Sequence, residues 1–79
     1  MKMVAIRKAI IEDGNDVYFD YKRKKCGIEP TVVDGVFKFV VWYGQNSRTY
    51  STFERFVDDP IFDGKTFSQI LPRVDIFLG

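Results

Sequence analysis

Seventy-nine residues leave room for one domain, and 46% hydrophobic with 16% aromatic residues is too apolar for a disordered chain, so a single core within residues 1–79 is expected. Twelve basic against eleven acidic side chains give a net charge of +1, which excludes a strong global field towards nucleic acid, an anionic membrane or an acidic substrate. A single cysteine and no histidine exclude an intrachain disulfide, a Cys-rich zinc site, a CxxC redox pair and the commonest general base.

The charge is mildly uneven. Residues 1–25 carry seven basic and four acidic groups, and residues 26–79 carry five and seven. Arg7 and Lys8 interrupt the apolar start before a signal-peptide core forms, and no later run reaches the ~18 apolar residues of a membrane span. A reducing cytoplasm is the expected location, without membrane association.

Met3, Ile6 and Ile10, with Val4 and Ile11 beside them, recur at helical spacing and predict a short amphipathic helix ending at Gly14. A strand over Met3 to Ile6 fits the same residues, so the pattern leaves 3–12 open between the two. Asp13-Gly14-Asn15-Asp16 is turn chemistry. The strand that follows, Val17-Tyr18-Phe19-Asp20-Tyr21, puts Val17, Phe19 and Tyr21 on one face. A four-residue loop over Lys22, Arg23, Lys24 and Lys25 then sets Tyr21 opposite Cys26 and Phe19 opposite Ile28, matching apolar with apolar. A three-residue loop would oppose Tyr21 to Lys25. The first register makes the whole basic run an exposed tip.

Pro30 is expected to end that strand, and Asp34-Gly35 opens the best strand of the chain, Val36 to Tyr43. Its odd face holds Phe37, Phe39, Val41 and Tyr43, and its even face Val36, Lys38, Val40 and Trp42. Both are largely apolar, which predicts an interior position. A Gly44-Gln45-Asn46-Ser47 turn returns Tyr50 opposite Val41 and Thr49 opposite Trp42. Ser51 with Glu54, and Thr66 with Gln69, have the form of capping boxes ahead of the stripes Phe53, Phe56, Val57 and Phe67, Ile70, Leu71, stopped by Pro60 and Pro72. Val74 to Leu78 alternates and fits a short edge strand. The expected fold is α+β: an N-terminal helix, an antiparallel meander of three to four strands and two short C-terminal helices on one sheet face.

Chemistry-bearing patterns are incomplete. Gly64-Lys65-Thr66 matches the end of a phosphate-binding loop, but Asp59 stands where its first glycine belongs and no strand precedes it. Read as a calcium loop, the same region has Ile61 and Ile70 at positions that need oxygen ligands. Asp58, Asp59 and Asp63 lack an accompanying nucleophile or oxyanion donor, and Cys26 has only Lys24 and Lys25 as nearby bases, so it reads as a buried strand cysteine. The stretch from Asp34 to Tyr43 shares only Gly35 and scattered aromatics with the RNA-recognition signature.

Two surface features remain. Trp42 and Val40 fall on the strand face opposite Phe37, Phe39 and Val41, where Tyr18 joins them and Asp20, Lys38 and Thr49 form a rim. The N-terminal helix either covers this face or leaves it open. If open, Trp42, Val40, Tyr18 and Lys38 form a protein-binding patch. The basic tip Lys22, Arg23, Lys24 and Lys25, beside Tyr18 and Tyr21, suits phosphates and stacked bases. The expectation is a non-enzymatic module without metal or cofactor that binds a protein partner or a second copy of itself. Nucleic-acid binding through the basic tip is the alternative.

Overall fold

Three two-residue turns organise the meander. In the computed structural model, which describes residues 1–79, β1 (Val17–Tyr21), β2 (Lys24–Val33), β3 (Val36–Tyr43) and β4 (Asn46–Tyr50) follow one another as antiparallel hairpins, and β5 (Phe77–Leu78) returns beside β1. The sheet order is β4-β3-β2-β1-β5, so β3 is interior, as its two apolar faces demand. Asp34 and Gly35 both have positive φ, the type I′ geometry whose twist matches that of the flanking strands.

The other two hairpins are tighter than their sequences suggest. Lys22 and Arg23 alone form the first turn, with φ of 50° and 65°, so Tyr21 pairs with Lys24 and Phe19 with Cys26. Gly44 and Gln45 form the third turn, and Tyr50 pairs with Phe39 and Thr49 with Val40. Each loop is two residues shorter than expected. A shift of two preserves the side-chain alternation, so every residue keeps its face although its partner changes. The first turn closes in two residues because Lys22 and Arg23 both take positive φ, and Lys22 is tied across to Asp63 at 2.7 Å.

Pro30 does not end its strand. β1 stops at the Val17–Ile28 pair, and beyond it β2 continues with β3 as its only partner as far as Val33. Counting back from the Val33–Val36 closing pair, Pro30 opposite Phe39 is a pair without mutual hydrogen bonds. Its missing N–H therefore faces the side that β1 has vacated, where no strand requires it.

All helices lie on one side. The N-terminal segment is helical, α1 (Met3–Arg7) continuing as a π-helical turn over Lys8–Glu12, with Asp13 N–H donating to the Lys8 carbonyl at 3.0 Å and Gly14 at φ 66° ending it. Ile6 and Ile10 are fully buried in one cluster with Val17, Phe19, Ile28, Phe39 and Val41. The helix thus packs on the Phe39 side of the sheet, and the alternative in which it covers Trp42 is excluded.

α2 (Phe53–Val57) and α3 (Phe67–Ile70), the latter extended by a 3₁₀ turn over Leu71–Arg73, fill the same side. Thr52, not Ser51, caps α2, its Oγ1 accepting from Arg55 N–H at 3.3 Å; Glu54 instead reaches Arg7 across the helix pair at 3.8 Å. At α3 the capping box forms as read: Gln69 N–H donates to Thr66 Oγ1 and Thr66 N–H to Gln69 Oε1. Phe56 is the hub of the core, its ring 5.1 Å from Phe67, 5.5 Å from Tyr50 and 5.9 Å from Phe39. No helix is long and apolar enough to cross a membrane.

Candidate functional site

With every helix on one side, the other face of a five-stranded sheet is left without a covering layer. Strand alternation places Phe77, Tyr18, Gly27, Trp42 and Ser47 in one row across it, through the pairs Phe77–Tyr18, Tyr18–Gly27, Gly27–Trp42 and Trp42–Ser47. Gly27 is the structural key to this row. A Cβ there would fall within the Trp42 indole, so the bare glycine backbone is the seat on which the ring lies. Tyr18 closes the other flank, its ring 5.9 Å from that of Trp42 and tilted by 58°.

Trp42, Val40 and Lys38 are half-buried and Tyr18 is 36% exposed, so the four residues singled out from the sequence share one continuous face. Phe77, 62% exposed, extends the apolar row at the β5 end. The sequence reading missed both Gly27 and Phe77. A glycine inside an apolar strand was the available signal for the first, since it marks close approach of another group. Phe77 lay within the alternating stretch from Val74 to Leu78, but alternation alone did not say which strand that edge joins or which sheet face Phe77 takes.

Charge frames the row and is balanced. Tyr18 Oη donates to Asp16 at 2.9 Å, with Glu29 at the edge of reach at 3.5 Å, and this bond to Asp16 holds the phenol above its ordinary pKa. Lys25 pairs with Asp20 at 3.1 Å. Three carboxylates and, with Lys38, two ammonium groups thus surround the aromatics, which gives a phosphate backbone nothing to gather on.

The basic run does not form a single tip. Lys22 pairs with Asp63 at 2.7 Å, Lys24 lies over the Tyr43 ring at 4.8 Å on the helix side, and Lys25 is held by Asp20 on the open side. Only Arg23 lacks a partner. Tyr18 and Tyr21 stand on opposite faces, so they do not flank the run together.

The remaining chemistry-bearing residues are dispersed. Asp59 accepts from Tyr50 Oη at 2.6 Å and Arg48 at 2.9 Å, which holds it below the usual carboxylate range; Asp63 is lowered in the same way by Lys22. Asp58 is exposed without an ion-pair partner. Asp63 and Gly64, at φ 55° and 80°, make a tight turn closed by the Phe62–Lys65 bridge and leading into the Thr66 cap. Burial pushes the Cys26 thiol up to about 11. No group of three Cys, Asp or Glu side chains converges to hold a metal ion.

Compared with family models, with curated proteins and with solved structures, the chain matches none.

Proposed function

We propose that the chain is a non-enzymatic module of a reducing cytoplasm that binds a protein partner on its open sheet face, with Trp42 as the central anchor, Tyr18 and Val40 as flanking apolar contacts and Lys38 at the rim. The observation that carries this reading is the Trp42 ring seated on Gly27 beside Tyr18, on a face no helix covers. Such a ring is held in place before binding, so little side-chain freedom is lost on contact, and large aromatics of this kind commonly contribute ≥ about 2 kcal/mol to association. The balanced charges of the surround favour a protein surface over nucleic acid.

The test is affinity capture from the native host with the wild-type chain, with Trp42→Ser and with Lys65→Ala, each checked for folding by circular dichroism. The reading expects specific proteins retained by wild type and Lys65→Ala, lost with Trp42→Ser and indifferent to nuclease. Retention that survives Trp42→Ser contradicts it. Retention that disappears with nuclease, or on charge reversal at Lys22, Arg23, Lys24 and Lys25, moves the function to nucleic acid.

A further inference from the structure

β4 ends the sheet on the side away from β5. Its closing pair, Tyr43–Asn46 around a two-residue turn, fixes the alternation of its backbone: Asn46, Arg48 and Tyr50 direct N–H and C=O towards β3, while Ser47 and Thr49 direct theirs outward. No backbone or side-chain group of the protein meets the outward set. The other edges are short or interrupted: β5, at the opposite end of the sheet, is only two residues long. Pro30 occupies the outward position where β2 runs past β1, and β5 with Gly79 N–H, which donates to the Asp16 carbonyl, covers the start of β1. β4 has neither proline nor cover, and its one charged side chain, Arg48, is already neutralised by Asp59 at 2.9 Å.

We infer that β4 pairs antiparallel with β4 of a second copy about a two-fold axis at Thr49, joining two five-stranded sheets into one of ten strands. The register follows from charge. An axis at Arg48 would set two guanidinium groups directly opposite each other. An axis at Thr49 sets Thr49 against the partner's Thr49 with both outward hydrogen bonds exchanged, Ser47 against the partner's Ser51, and Arg48 against the partner's Tyr50.

A second copy is the occupant because this edge is self-complementary. The groove beside it is lined by Arg48, Arg55, Asp58 and Asp59; Arg48 is satisfied by Asp59, whereas Arg55 and Asp58 have no ion-pair partner within the chain, so a two-fold axis offers each an opposite charge on the second copy. A net charge of +1 offers little long-range repulsion between copies. A five-residue strand contact is small beside the ~1,200–2,000 Å² of stable interfaces, so dissociation on the order of micromolar or weaker is expected. This edge is distinct from the aromatic face and leaves it open in both copies.

Sedimentation velocity of the full chain over a concentration series up to the millimolar range, with amide hydrogen exchange at both ends of the series, tests the pairing. Expected are a reversible dimer, protection of the Ser47 and Thr49 amides only at high concentration, and protection of Arg48 and Tyr50 throughout. Thr49→Pro removes an outward N–H without touching the β3 ladder and should weaken the dimer at least tenfold, whereas Trp42→Ser should leave it unchanged. A monomer at every concentration, fast exchange of Ser47 and Thr49 in the dimer, or a dimer lost with Trp42→Ser and kept with Thr49→Pro would overturn it.

Discussion

The indole of Trp42 lies on the backbone of Gly27, and the two are directly paired across β2 and β3. The glycine gives the ring a place to rest flat on the sheet, and the ring shields a strand position that has no side chain of its own. Gly27→Ala should therefore lift the indole, lower stability by about 1–3 kcal/mol and shift the Trp42 emission to the red. Denaturant unfolding checks this, and in a Trp42→Ala background the same substitution should cost much less, because the clash is gone.

Phe56 touches the rings of Phe39, Tyr50, Phe53, Phe62 and Phe67, joining α2, α3 and the sheet. Phe56→Ala should cost about 3–5 kcal/mol. For a domain of this size that is comparable with the whole stability, so loss of the cooperative thermal transition in circular dichroism is the expected outcome.

Tyr50 and Asp59 give the protein a pH signature at both ends. Burial first, then the bond to Asp59, pushes the Tyr50 phenol up to about 12 from its ordinary 10, so the unfolded chain loses this proton first and stability should fall as pH rises from 10 to 12. Asp59 is held below its ordinary value by Tyr50 first and Arg48 second; its contribution is present above the ordinary carboxylate pKa and is lost as pH falls below about 4, through the lowered folded value. Tyr50→Phe should flatten the alkaline slope and weaken the acid one in urea titrations across pH.

Cys26 is buried and its thiol stays protonated up to about 11. At about pH 8 it should resist a thiol reagent in the folded protein and react fully in guanidinium, so its labelling rate reports opening of the β1–β2 hairpin. Stoichiometric labelling without denaturant would place the thiol outside the core.

Which residues face which side was legible in the sequence, and which residues pair was not. Alternation fixed Phe39, Val41 and Tyr43 on one face and Val40 and Trp42 on the other, and a loop shortened by two residues leaves that assignment intact. The Lys22–Arg23 turn was illegible because neither residue signals positive φ as Asp34-Gly35 does. The stripe of Met3, Ile6 and Ile10 fitted a helix or a strand, and as a helix it matched either sheet face, since an apolar stripe does not encode its partner. Only the placement of all helices on the Phe39 side shows that Trp42 lies on the open one. Phe37, expected in the core row, is 39% exposed because the hairpin carries it beyond the reach of the helices.

Trp42, the only tryptophan, reports directly on whether the open face is the binding surface. Acrylamide quenching of its fluorescence, measured on the isolated chain and again at saturation with a captured protein partner, tests this most closely. Ready quenching is expected in the free protein, and a several-fold smaller quenching constant in the complex. A shielded indole in the free protein, or quenching unchanged by saturating partner, would contradict a binding role for this face.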